Sequence, residues 1–201
     1  MRIHLAESAG FCFGVNRAVE MVEQAAQTGK QVCTLGPIIH NRHAVAHFEK
    51  MGVRVIDSPE QATSDMTVII RSHGVSKAVQ ETLEASGATV VDATCPFVKR
   101  IHGIVSRAEE EGRLPVIIGT RSHPEVEGIA GWCQHCEIFE NVQELEKWAN
   151  SGKIPADIPI SMVCQTTSTE SLWKSCEDFA KKVFTNLMQC NIIKDRIFYE
   201  V

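Results

Sequence analysis

Two cysteines, three histidines, one glutamate and a pair of threonines sit where short apolar runs give way to helical patterns. Cys12 lies in Gly10-Phe-Cys12-Phe-Gly14, His40 in Gly36-Pro-Ile-Ile-His40-Asn41, and His73 in Ser72-His73-Gly74. Cys95 falls in Asp92-Ala-Thr-Cys95-Pro96, His123 and Glu125 share Ser122-His123-Pro-Glu125, and Thr166 stands in Gln165-Thr166-Thr167. Thiolates are soft ligands suited to zinc or iron–sulfur clusters. Imidazoles donate hydrogen bonds to phosphate oxygens, and a carboxyl group in a closed pocket can keep its proton long enough to act as a general acid. Each residue also has an ordinary reading. A lone cysteine is a small buried hydrophobe, a lone loop histidine a hydrogen-bonded surface group, and Glu125 a solvated carboxylate. Their shared setting favours chemistry.

That setting comes from the elements around them. Short β-branched runs predict strands at Arg2–Ala6, Gln31–Leu35, Val53–Ile56, Met66–Arg71, Thr89–Asp92, Leu114–Gly119, Glu137–Glu140 and Ile158–Cys164. Apolar residues at helical spacing predict helices over Val15–Thr28, Asn41–Met51, Lys77–Ala85, Phe97–Glu111 and Glu170–Met188. Gly29, Gly52, Gly87 and Gly112 fall where helices should stop. Strands alternating with helices imply βαβ units and mainly parallel sheets, an α/β fold. In open sheets of this kind ligands bind outside the carboxyl ends of the strands, the edge where these residues fall. Two echoes point to repetition: Cys12-Phe-Gly-Val-Asn-Arg17 matches Cys95-Pro-Phe-Val-Lys-Arg100, and Arg71-Ser-His73 matches Arg121-Ser-His123. The expectation is two tandem similar α/β units, 1–95 and 96–190, with 191–201 as a short remainder.

Composition removes several classes. The 201 residues are 44% hydrophobic and 22% charged, enough for a proper core in a globular chain. A net charge of −5 with no Lys/Arg cluster argues against nucleic acid as a partner. No run approaches the roughly 18 apolar residues of a membrane span. The N-terminus lacks an apolar leader core and carries Glu7, which predicts a cytoplasmic protein. Eight cysteines fall short of the ~8–10% typical of disulfide scaffolds, so reduced, metal-bound or catalytic thiols are the better account. His40, His43 and His47 share one helical face, as zinc ligands would, but no H-E-x-x-H pattern links them. Cys133-x-x-Cys136 has redox or zinc spacing without a second such pair. Cys33 and Cys164 read as packing residues, while Cys176 and Cys190 carry no assignment.

Taken in order, the six motifs form a set that resembles the 4-hydroxy-3-methylbut-2-enyl diphosphate reductase family from Met1 to about Ser168. The resemblance implies a trefoil of three α/β domains around a central [4Fe-4S] cluster. It implies Cys12 and Cys95 as two of three cluster ligands, His40 and His73 as diphosphate contacts, and His123 as a further substrate contact. Glu125 would relay protons to the departing hydroxyl, and Thr166 would orient it. The implied activity is a two-electron reductive dehydroxylation giving isopentenyl and dimethylallyl diphosphate, fed by reduced ferredoxin or flavodoxin. The family's third cysteine opens a C-x-A-T-x-x-R-Q motif that this sequence lacks, and its S-x-N motif is also absent. The sequence therefore reads as the first two of three lobes. A non-catalytic remnant, or an anion- or metal-binding module on the same domains, is the alternative.

Overall fold

The computed structural model describes residues 10–39 and 41–190. The expected first strand at 2–6, His40 and the remainder 191–201 lie outside them. Two compact units emerge. One holds the described residues up to Ser72 together with Leu83–Cys95, and the other holds His73–Thr82 with Pro96 onward.

In the first unit the apolar run Gln31–Leu35 forms β1, flanked in the sheet by β2 (Arg54–Ile56) and β3 (Met66–Ile70), with β4 (Thr89–Asp92) beyond. The order is β2-β1-β3-β4, and every pair is parallel. Helix α1 (Phe13–Ala26) turns Ala18 and Val22 inward, where they meet Val32, Ile38 and Ile69. Its polar face stays in solvent, as a period of 3.6 requires. Helix α2 (Arg42–Lys50) contributes Phe48 to the same core, and Gly52 follows it at φ 83°, where a side chain would be strained. Helix α3 (Lys77–Ala85) leads into β4.

The second unit repeats the plan. After α4 (Pro96–Glu110), strands β5 (Leu114–Ile118), β6 (Glu137–Phe139), β7 (Ile160–Cys164) and β8 (Leu187–Gln189) form a parallel sheet ordered β6-β5-β7-β8. Alternation along the strands serves two cores. Val116, Ile118, Met162 and Cys164 face helices α6 (Val142–Ala149) and α7 (Glu170–Val183), which supply Leu145, Trp173, Cys176 and Ala180. Ile117 and Val163 face α4 and α5 (Pro124–Ala130), which supply Ile101, Val105, Val126 and Ile129. Helices on both faces explain why these strands read as continuous apolar runs. The expected α/β class with two similar parallel sheets holds.

One element differs from the sequence reading. The helix expected over Glu170–Met188 stops at Val183, and Phe184 turns extended at φ −102°, ψ 128°. Leu187–Gln189 then pairs with β7, Ile160 opposite Leu187. Tertiary bonds impose the break. Arg113 donates to Asn186 Oδ1 at 3.0 Å and to Ile160 O at 2.6 Å, and Thr185 N–H donates to Ala156 O at 2.9 Å. The helical spacing of Leu187 and Met188 carries no trace of those partners.

Cys33, Cys164 and Cys176 are buried packing residues. Burial pushes the Cys176 thiol from 9.0 up to about 11, because its thiolate would be desolvated. The folded state therefore holds this proton to a higher pH than the unfolded chain. The resulting stabilisation is complete below pH 9 and disappears as pH rises through about 11. Urea midpoints measured across that range should fall more steeply for the wild type than for Cys176→Ala; parallel slopes would refute the assignment.

Candidate functional site

In the first unit the chemistry gathers at the carboxyl ends of β3 and β4. Cys12 is the exposed N-cap of α1, with extended backbone at φ −65°, ψ 162°. One turn on, Arg17 donates to Thr94 O at 3.2 Å and Asp92 O at 3.5 Å, tying the start of α1 to the loop after β4. That loop is shaped by Asp92, whose Oδ1 accepts from Thr94 N–H at 2.9 Å, and by the Cys95 N–H, which donates to Ser72 O at 2.9 Å. Gly14 completes the approach. A Cβ placed on it would stand 2.6 Å from Cys95 Sγ and 3.1 Å from Cys95 Cβ. The two loops that echo each other in sequence are thus in contact, and their cysteines belong to one corner of this unit.

Two soft thiols on adjoining loops fit an iron–sulfur cluster as a donor set. Among the described residues no third Cys, His, Asp or Glu joins them as a metal-binding trio. Cys190 packs instead against the apolar cluster between α4, α5 and the second sheet. The histidine face of α2 has other contacts: His47 lies 3.7 Å from Glu23, and Asn41 caps the helix by accepting from His43 N–H and Ala44 N–H. His40 lies outside the described residues.

In the second unit four of the expected residues come together. His123 is the N-cap of α5, and its Nδ1 accepts the Glu125 N–H at 3.1 Å. An imidazole accepting at Nδ1 carries its proton on Nε2 when neutral, and so presents a donor there. The His73 ring meets the His123 ring edge-on, centroids 5.4 Å apart. Glu125 is 2% exposed. Its Oε1 accepts from Thr166 N–H at 2.5 Å and its Oε2 from Thr166 Oγ1 at 2.9 Å. The solvated reading of Glu125 fails: this carboxyl group is enclosed and held at both oxygens.

Residues that sequence motifs did not assign hold this arrangement. Gln165 joins the ends of β5 and β7, accepting Thr120 N–H at 3.1 Å and donating to Thr167 Oγ1 at 2.7 Å. Gly131 admits the His73 loop against the end of α5, since a Cβ there would strike Ser76 Cβ at 2.1 Å and Ser76 Cα at 2.9 Å. Trp132 Nε1 donates to Val75 O at 2.9 Å, fixing the same loop from the other side. The spaced glycines of Glu127-Gly-Ile-Ala-Gly131 were the available signal. Thr166→Val should cost about 1–3 kcal/mol in denaturant stability by removing one donor from an enclosed carboxylate. Thr166→Ser should restore most of the loss, whereas equal stability of all three proteins would exclude the clamp.

Comparison with known proteins follows the same lines. The family profile described as LytB protein matches residues 3–198. A 4-hydroxy-3-methylbut-2-enyl diphosphate reductase of Thermoanaerobacter sp. (strain X514) is 40% identical over 199 residues, 97% of this chain and 67% of the relative. That of Clostridioides difficile (strain 630) is 35% identical, covering 98% and 71%. The solved reductase structure from Plasmodium falciparum aligns with a TM-score of 0.83 at 27% identity, covering 92% of this chain and 57% of that one. A solved structure of (E)-4-hydroxy-3-methyl-but-2-enyl diphosphate reductase, the terminal enzyme of the non-mevalonate pathway, aligns with a TM-score of 0.80 at 36% identity, covering 94% of this chain and 66% of that one. The chain spans about two-thirds of the length of these curated relatives and 57% of the Plasmodium chain.

Proposed function

Because the chain belongs to the LytB protein family, whose curated members here are 4-hydroxy-3-methylbut-2-enyl diphosphate reductases, we propose that it serves that reductive dehydroxylation as the first two of three lobes. In the reaction the substrate's C–O bond breaks and a C–H bond forms. Two electrons and two protons enter, and water leaves. The products are isopentenyl and dimethylallyl diphosphate, which close the non-mevalonate route.

The observation that carries this reading is Glu125, a buried carboxyl group held at both oxygens by Thr166 beside a pair of histidine rings. Hydroxide is a poor leaving group and water a good one, so the reaction needs a positioned proton donor at the departing oxygen. Glu125 takes that role, and Thr166 holds the carboxyl and orients the hydroxyl. His123 and His73 offer imidazole donors to the substrate, with His40 as a further diphosphate contact. Cys12 and Cys95 would hold a [4Fe-4S] cluster, with a third thiolate supplied from elsewhere. When bound, such a cluster supplies an electron path and a Lewis-acidic iron. Reduced ferredoxin or flavodoxin is the proposed donor, and the cytoplasm the proposed setting. Among the described residues no helix is long and apolar enough to cross a membrane.

Anaerobic reconstitution with iron and sulfide tests the reading, using the chain alone and with a supplied third domain. Iron and sulfide binding is expected, with consumption of the diphosphate substrate once the third domain is present. Failure to bind iron under both conditions would overturn the cluster. Iron without turnover under both would overturn the activity and favour a non-catalytic module.

A further inference from the structure

The segment joining α5 to β6 reads Gly131-Trp-Cys133-Gln-His-Cys136, and nothing in the proposed reaction uses it. Four contacts fix its shape. Trp132 is anchored to Val75 O and stacks on His102 with centroids 5.0 Å apart and planes 18° from parallel. Glu109 on α4 accepts from Gln134 N–H at 2.8 Å and His135 N–H at 3.0 Å, pinning the two residues between the cysteines. The Cys133 thiol lies within reach of Ala130 O at 3.5 Å and of the Cys136 sulfur. Both cysteines are half-buried, with their side chains against the same apolar cluster. Two hydrogen-bonded thiols three residues apart on a pinned turn, packed against one apolar cluster, have the C-x-x-C spacing of dithiol redox motifs.

We propose that Cys133 and Cys136 form a redox-active dithiol that closes to an intramolecular disulfide by exchange with a low-molecular-weight disulfide. The Cys136 thiolate attacks one sulfur of the small disulfide, whose S–S bond breaks and releases the first small thiolate. Cys133 then attacks Cys136 Sγ, giving up its proton as the second small thiol departs. Two electrons pass from the cysteine pair to the small disulfide, which leaves as two thiols. The attacking order follows from acidity. The hydrogen bond from Cys133 lowers Cys136 against the opposing effects of burial, Glu137 and Glu109, while that bond, burial, Cys136 and Glu109 all raise Cys133. The thiolate is the nucleophile, so the more acidic member attacks. The other cysteines lie outside this turn. Cys33, Cys164 and Cys176 are buried, and Cys12 is exposed at the start of α1.

The test equilibrates the full 201-residue chain in glutathione buffers of rising oxidised fraction, then quenches with acid, alkylates and maps peptides by mass. In the wild type the peptides carrying Cys133 and Cys136 should lose two hydrogens together and resist alkylation, and reduced glutathione should restore both. Cys133→Ser should stop at a glutathione adduct on Cys136. Cys136→Ser should gain its adduct on Cys133 roughly tenfold more slowly. The wild-type map is decisive even where a variant fails to fold. A pair that stays alkylatable at every ratio, or that links to other cysteines, overturns the proposal. An adduct forming faster on Cys133 than on Cys136 overturns the order of attack.

Discussion

Replacing Glu125 with Gln should lower turnover of the diphosphate substrate by about 10²- to 10⁴-fold, the contribution of one positioned general acid. In barrier terms that is about 3–5 kcal/mol, far more than a surface carboxylate could be worth. The substitution isolates the proton because the scaffold can accommodate it. Gln keeps a carbonyl oxygen to accept Thr166 N–H, and its amide can donate to Thr166 Oγ1 in place of the bond that Oε2 receives. Packing is unchanged, since the two side chains are nearly isosteric. The His123 cap survives as well, because Nδ1 accepts from the residue-125 backbone and not from its side chain. The loss should therefore appear in kcat, with KM and iron content close to wild type. Activity near wild type would remove Glu125 from the reaction. A loss confined to KM would recast it as a binding residue.

How much of this was legible in advance depends on where the determining contacts lie. Gln31–Leu35, Lys77–Ala85 and Thr89–Asp92 are read correctly from sequence because propensity, periodicity and flanking glycine agree over a few residues. The turn at Phe184–Asn186 is not legible, because Arg113 and Ala156, remote in sequence, hold it. The same division runs through the site. Cys12, Cys95, His73, His123, Glu125 and Thr166 stand out by type and position at strand ends. Their positioning does not. Packing of the His73 loop on α5 depends on the missing side chain of Gly131 and the indole of Trp132. That Nδ1 of His123 caps α5, which fixes the face the ring presents, follows only from backbone geometry. Residue type marks the chemistry, while what aims it is a glycine, an indole, a side-chain amide and backbone amides that no motif singles out.

Gly14 shows this most sharply, and Gly14→Ala should strip most of the iron from the reconstituted protein while leaving the fold nearly as stable. Two effects oppose each other in stability. Alanine favours helix over glycine by up to about 1 kcal/mol, and the gain is smaller here because Gly14 is the second residue of α1. Overpacking typically costs about 1–3 kcal/mol, and the clash here is with a side chain, Cys95 Sγ at 2.6 Å and Cβ at 3.1 Å, not with backbone. A thiol can turn aside, so the low end of that cost applies and the net change in stability is small. The proposed cluster would have no such latitude, because a ligand sulfur must stay where the iron requires it. The same methyl group that costs the fold little would push the Cys95 thiol out of the position it holds beside Gly14. Iron per chain after anaerobic reconstitution, read beside the urea midpoint, separates the two consequences. The expected pattern is iron as low as in Cys95→Ser with a midpoint close to wild type. Full iron in Gly14→Ala would show that Cys95 does not ligate from this rotamer. A collapsed midpoint would show that the loops cannot yield, making Gly14 a residue of the fold before it is one of the site.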